Sequence, residues 1–379
     1  MIDLNQAATT FPKPRCVLEA HAAALCAPPE GQFRGSARRG GNVFDRCREN
    51  LGRLLGLSAT DRVFFASGAT DAANALVNGL PLAGKRVLAT GTEHNSVLRP
   101  LMNLKDRVGS VDIVPCDPLG AVAPADAERL FAEPDAALFV NHCSNVTGMA
   151  QDMPALAKIA HRHGALLVLD AAQSAGCLPV LADAWGVDAL IFTGHKALFG
   201  LQGTGGYYVR PGVALRPFRY GGTGRDSRRL NYDDGDYEYK VGTQNAPGIA
   251  ALNVGVEYVL ERGVEAIHAR ERGLMKRLYE GLAAIPGVVL YGDFERSPGP
   301  LLNFNVGGLN PSDVGYILSG GYGITVRAGH HCAPLIHDAM GTSAWGTVRV
   351  SISDMNAQAD IEAQIAAIRQ IAEGMEAAT

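Results

Sequence analysis

The stretch ALIFTGHK, residues 189–196, decides how the rest of the chain is read. An apolar run ends abruptly in a histidine and a lysine, and the glycine-rich GLQGTGG (200–206) follows. An ammonium group at the end of a core strand is costly unless solvent, a counter-charge or covalent chemistry compensates it. Lys196 is thus either a snorkelling lysine at a solvent edge or a lysine held for a reaction.

The same kind of run recurs upstream. RVFFAS (62–67), KRVLAT (85–90), AALFVNH (136–142) and ALLVLDAAQ (165–173) are near-continuously apolar rather than alternating. That is the signature of strands buried on both faces of a parallel sheet. DAANALVNGL and MPALAKIAHRHG, lying between them, carry helical periodicity. This predicts an α/β layered domain, whose ligands sit beyond the carboxyl ends of the strands. After about residue 250 the pattern changes to a long helix (IAALNVGVEYVLERG), a charged helix over 265–282, and the short strands LLNFNV and TVRVSIS. A large domain over 15–250 and a smaller α+β domain formed by 1–14 with 251–379 are expected.

Composition excludes several classes. Of 379 residues, 47% are hydrophobic and 19% charged, enough to bury a large core. A formal charge of −4 without a basic stripe argues against a nucleic-acid partner, and RDSRR (225–229) reads as a solvated loop. No apolar run reaches membrane-spanning length, and MIDLNQAATTFPKP has no charged leader followed by an apolar stretch. No membrane partner and a cytoplasmic location are therefore expected. The seven cysteines form no CxxC, so reduced thiols are expected. GLPLAGKR (79–86) approaches a phosphate-binding GxxxxGKS/T loop but ends in Arg86 and precedes a strand. GLQGTGG lacks the strand–GxGxxG–helix order, so neither reads as a nucleotide site.

The strand ends carry the chemistry. ASGATDAAN puts Gly68, Ala69 and Thr70 where a strand turns into a helix. Free N–H groups and the positive dipole end suit a phosphate there, although Thr70 or Asp71 would also serve as an ordinary cap. VLDAAQSAG puts Asp170 at a strand mouth with Gln173 one turn on; alone, Asp170 reads equally well as a loop cap. GTEHNSVLRP sets His94 after KRVLAT, and HCSNVTG supplies Asn145. Together they meet the needs of pyridoxal 5′-phosphate. Lys196 would take its aldehyde, Asp170 would keep its ring nitrogen protonated, and His94 would stack on the ring. Asn145 and Gln173 would hydrogen-bond its phenolic oxygen side. VRAGHHCAPLIH places Cys332 among Arg327, His330 and His331. A buried thiol or a zinc site are the ordinary readings. Adjacent His-His-Cys cannot easily converge on a metal without a distant fourth ligand, so no metal is expected. A basic, glycine-preceded loop is where a thiolate is stabilised and reached.

Through AATTFPKP, SGATDAAN, EHNSVLRP, SNVTG, DAAQSAG, TGHK, GTGGYYV, GGTG, VGTQNAPGIAAL, VRAGHHCAP and GTVRVSISDMN, nearly end to end, the chain resembles the class V, fold-type I pyridoxal-phosphate enzymes. Within them it resembles the cysteine desulfurase and selenocysteine lyase family with a compact active-site loop. The resemblance implies a large domain with a mainly parallel sheet of seven-stranded type and a smaller α+β C-terminal domain. It implies that Lys196 holds the cofactor in a Schiff base, Asp170 pairs with the pyridinium nitrogen, and His94 stacks and shuttles protons. Ala69, Thr70, Thr193 and His195 would bind phosphate, and Arg349 would grip the substrate carboxylate, with Arg327 and Asn145 on the same substrate side. Cys332 would take sulfur from L-cysteine as a persulfide, leaving L-alanine, and an external thiol or an acceptor protein would remove it. A homodimer is implied too, with Gly242 and Thr243 reaching the phosphate of the partner's site. Alternatives on the same scaffold are a selenocysteine lyase, a carbon–sulfur lyase acting on a cysteine conjugate, and a class V aminotransferase. Family members begin LDNAAT, whereas this chain has LNQAAT, with Asn5 and Gln6 at the first two polar positions.

Overall fold

The computed structural model describes residues 1–28, 42–104, 106–131, 135–222, 228, 230–231 and 241–376. Most of the RDSRR and half of the GGTG segments lie outside the described residues. The chain opens with the two-residue strand β1 (Ile2–Asp3). Seven strands follow: β2 (Val63–Ala66), β3 (Arg86–Thr90), β4 (Ser110–Val114), β5 (Asp135–Asn141), β6 (Leu166–Asp170), β7 (Ala189–Thr193) and β8 (Gly205–Val209). They make one sheet in the order β2-β8-β7-β6-β5-β3-β4. The five from β7 to β4 run parallel, and β8 runs antiparallel to both of its neighbours. Every residue of β7 is buried, as its unbroken apolar run requires of a strand with helices on both faces.

Two strands of this sheet escape the periodicity reading. β4 is an edge strand whose apolar run is broken by Asp112 and which is mostly half-buried. β8 begins with two glycines, which read as a turn. A Cβ on Gly205 would stand 2.8 Å from Gly68 Cα and 2.9 Å from the Phe192 carbonyl oxygen, so the strand fits there only without a side chain. The glycine-rich run thus serves close backbone packing against the loop before the helix Ala69–Gly79.

The remaining strands are β9 (Val288–Tyr291), β10 (Leu301–Val306), β11 (Ile324–Thr325), β12 (Arg327–Gly329) and β13 (Thr347–Ser351). Four form an antiparallel sheet in the order β12-β13-β10-β9, while β11 pairs in parallel with β1. Their core holds Leu278, Phe304, Val348 and Ile368. The helix Ala246–Arg262, which the sequence pattern assigns to the second unit, packs instead in the large core. Its Ile249, Leu252, Val256 and Val259 are buried together with Leu169 and Phe192. Among the described residues no helix is long and apolar enough to cross a membrane.

What this sheet positions is a row of polar side chains. β3, β5, β6 and β7 close on Thr90, Asn141, Asp170 and Thr193, each buried. Register sets Asn141 level with Asp170, and Asp170 level with Ile191.

Candidate active site

Along this carboxyl edge lies a cavity of about 290 Å³. Every site residue expected from the sequence lines it except Cys332, Gly242 and Thr243.

Lys196 sits in the turn just after β7. The N-terminal segment clamps that turn: Thr10 Oγ1 donates to the Lys196 carbonyl at 2.6 Å, and Lys13 Nζ donates to the His195 carbonyl at 2.8 Å. The residues AATTFPKP, remote in sequence, thereby orient the lysine. Burial lowers the Lys196 ammonium to about 8, with Arg349 and Arg327 pushing the same way and Asp170 and Cys332 opposing. Asp170 accepts the Ala172 N–H at 2.8 Å. Burial raises its carboxyl, against the pull of Ala172, Lys196 and the Asn141 side chain.

His94 caps the helix Asn95–Asn103. Its Nδ1 accepts the Ser96 N–H at 3.0 Å, which leaves the ring proton on Nε2. Burial first, then Lys196, Arg327, Arg349 and Arg99, lower the imidazole to about 3, so the ring is neutral. Gln173 Nε2 donates to the Ala7 carbonyl at 3.0 Å.

One end of the cavity is made for an anion. Gly68, at φ +148°, precedes the helix Ala69–Gly79, in backbone territory that essentially only glycine occupies. No side chain caps that helix, so its first N–H groups stay open. Beside it, Thr193 Oγ1 and His195 Nδ1 are buried with no partner. Open N–H groups and orphaned side-chain atoms at a helix start fit a phosphate.

The other end carries two guanidiniums. Arg349 is wholly buried and level with Arg327 across β12 and β13. Its Nη1 donates to the Asn145 carbonyl at 2.8 Å and its Nη2 to Asn5 Oδ1 at 3.2 Å, while Nε has no partner. Asn145 Nδ2 donates to the His331 carbonyl at 2.7 Å, and its Oδ1 is unpartnered. Among the described residues no carboxylate pairs with either arginine. Burial and Arg327 together lower Arg349 to about 9. A site with two uncompensated guanidiniums attracts a small carboxylate.

Cys332 lies outside the main cavity, in an adjoining open vestibule of about 420 Å³ that shares Thr70, His94 and Ser96 with it. Arg327 Nη2 donates to Cys332 Sγ at 3.0 Å. His331 and Cys332 both have left-handed backbone, at φ 52° and 61°, and Asn95 N–H holds the Cys332 carbonyl at 2.8 Å. The thiol is therefore presented from a fixed kink. Gly242 and Thr243 are exposed and away from this chain's own cavity. Two residues that the sequence reading passed over are Glu93 and Asn141, both buried beside Asp170.

The model of the family Aminotransferase class-V matches residues 2–363. A probable cysteine desulfurase of Methanothermobacter thermautotrophicus is 33% identical over 326 residues, covering 84% of this chain and 81% of the relative. A cysteine desulfurase of Klebsiella pneumoniae is 30% identical over 339 residues, covering 86% of this chain and 82% of its own. The solved apo structure of a cysteine desulfurase from Thermococcus onnurineus matches with a TM-score of 0.87 at 28% identity, over 98% of this chain and 95% of that one. Enzymes of this family work with pyridoxal phosphate. The chain belongs to the aminotransferase class-V family, and within it to the cysteine desulfurases.

Proposed function

We propose that this protein is a pyridoxal-phosphate-dependent cysteine desulfurase that moves sulfur from L-cysteine to Cys332 and releases L-alanine. The observation that carries the reading is the vestibule, which sets the Arg327-paired thiol of Cys332 against the same His94 that lines the Lys196 cavity.

Ala69 and Thr70 N–H groups, Thr193 Oγ1 and His195 Nδ1 would hold the cofactor phosphate. Asp170 would face its ring nitrogen, His94 its ring face, and Asn145 with Gln173 its phenolic oxygen. Bound there, pyridoxal phosphate supplies an aldehyde that captures amines and a ring that accepts the electrons freed at the substrate α-carbon. Lys196 holds the cofactor and, as the neutral amine favoured by its burial, takes the α-proton at Nζ. Arg349 grips the substrate carboxylate through the N–H groups that the protein leaves free, and Arg327 holds the Cys332 sulfur ready. Attack of the Cys332 thiolate on the substrate sulfur makes the S–S bond of a persulfide and breaks the substrate C–S bond. The electron pair of that C–S bond stays with the carbon skeleton, which is released as alanine after protonation.

We further propose a cytoplasmic homodimer, in which exposed Gly242 and Thr243 reach the phosphate of the partner's cavity, and an external thiol or protein that accepts the sulfur from Cys332. The deciding experiment incubates the protein with cysteine and a reductant and measures sulfide and alanine, beside Cys332→Ala. Equal amounts of both, lost in the variant with cofactor absorbance retained, are expected. Pyruvate and ammonia, or activity that survives in Cys332→Ala, would mean a lyase acting by elimination. Inactivity of both proteins with cysteine would direct the search to selenocysteine, cysteine conjugates or amino-group acceptors.

A further inference from the structure

Glu93 is fully buried, one residue before His94, in the turn after β3. Its Oε1 accepts the Thr90 hydroxyl at 3.1 Å. The same Thr90 oxygen accepts the N–H of Asn141 at 3.3 Å, so Glu93 and Asn141 are held on one hydroxyl. Asn141 is level with Asp170 on the adjacent strand, and its side chain favours the charged form of the Asp170 carboxylate. Two oxygens in this small group are buried and unpartnered: Glu93 Oε2 and Asn141 Oδ1. Both are acceptors when Glu93 is ionised, and two bare acceptors cannot satisfy each other. A proton on Glu93 Oε2 turns one of the two from an acceptor into a donor.

Charge decides which carboxyl carries that proton. Two buried carboxylates that repel each other cannot both ionise cheaply. Asp170 has the Ala172 N–H, the Lys196 ammonium and the Asn141 side chain to favour its charge. Glu93 has only the Thr90 hydroxyl and the Asn141 N–H, and burial followed by repulsion from Asp170 pushes its carboxyl well above the ordinary range.

We propose that Glu93 is a positioning residue for Asp170: as the neutral acid it donates its Oε2 proton to Asn141 Oδ1, which turns the Asn141 amide N–H toward Asp170 and fixes that carboxylate. This deepens the function proposed above and rests on it, because Asp170 is the group meant to face the cofactor ring nitrogen. Glu93 touches neither substrate nor cofactor in this role. It keeps the negative charge of this buried pair on the strand end where it is used.

Glu93→Gln and Glu93→Met separate the possibilities. Glutamine mimics the neutral acid, with an oxygen for Thr90 and an N–H for Asn141; methionine keeps the bulk and loses the donor. Three readouts apply: the infrared C=O stretch of a protonated carboxyl in D2O, the dissociation constant of pyridoxal phosphate, and the 15N shift of its labelled ring nitrogen. Glu93→Gln is expected to lose one protonated-carboxyl band yet to bind the cofactor as the unmutated protein does, with the ring nitrogen still protonated. Glu93→Met is expected to bind about tenfold more weakly, the cost of an unsatisfied buried acceptor. An infrared difference without the band, or Glu93→Gln binding as weakly as Glu93→Met, would overturn the proposal. Failure of the unmutated protein to take up pyridoxal phosphate would instead overturn the function proposed above, while the infrared difference on the same protein still reports Glu93 alone.

Discussion

Arg327 Nη2 and Cys332 Sγ are 3.0 Å apart, and among the described residues no carboxylate competes for that guanidinium. Its charge therefore acts on the sulfur. Replacing Arg327 by methionine should slow alkylation of Cys332 by iodoacetamide severalfold, because the sulfur loses its charged hydrogen-bond donor. The exposed Cys16 and Cys26 serve as internal references in the same peptide map, and their rates should not change. Equal rates at Cys332 in both proteins would mean that the pairing leaves the sulfur unaffected.

Lys196 titrates at about 8, below the ordinary 10.5 of a lysine. Its neutral amine is the majority form above pH 8, so capture of added pyridoxal phosphate should speed up with pH to about 8 and then level off. Stopped-flow absorbance measures this, and Lys196→Arg should show no capture. The same displacement bears on stability. The folded chain sheds this proton before the unfolded chain does, so Lys196 costs stability below pH 8, and the cost fades as pH rises from 8 to 10.5. In cofactor-free protein Lys196→Met should be more stable at pH 7, by up to about 3 kcal/mol, with the gap closing at high pH.

Asn5 Oδ1 accepts from Arg349 Nη2 as a neutral group. Asn5→Asp would give the Arg349 guanidinium a carboxylate of its own, in competition with the substrate's. KM for cysteine should rise about tenfold with kcat changed much less, since the loss is of ground-state and transition-state binding alike. A fall in kcat at constant KM would place Asn5 in the chemistry and not in recognition.

Gly205→Ala would set a methyl 2.8 Å from Gly68 Cα. Backbone has to move on both sides, which should cost about 2–3 kcal/mol in denaturant unfolding and weaken pyridoxal phosphate binding through the displaced helix start. Gly203→Ala is the control: no heavy atom lies within 4 Å of its Cβ, although its φ of +77° favours glycine. It should cost about 1 kcal/mol and leave cofactor affinity unchanged.

The parts of this site that are legible in the sequence are those where a strand's apolar run stops on a polar residue. Asp170, Thr193 and Lys196 satisfy that rule, and the length of the run alone locates them. Glu93 does not. It stands between Thr92 and His94 and reads as a solvated turn acid, and only the return of its N–H to the Thr90 carbonyl folds it inward. Asn141 reads as the plain end of a strand until the register sets it beside Asp170. The pairing of Arg327 with Cys332 depends on two successive left-handed residues, which neither histidine nor cysteine announces. β8 is hidden because its glycines answer to neighbours far away in the chain, Gly68 and Phe192, and not to a local turn.

The N-terminal segment closes on β13. Ala7 N–H donates to Ser351 Oγ at 2.9 Å, Ser351 N–H donates to the Leu4 carbonyl at 2.7 Å, and Asn5 reaches Arg349. Thr10 and Lys13, by contrast, close on residues 195–196. In order of synthesis, the lysine turn and the strand ends around it can be assembled once the large sheet is made, whereas Arg349, proposed to grip the substrate carboxylate, arrives only with β13. On the proposed assignments, the residues that would hold the cofactor thus come together before the one that would recognise an amino acid.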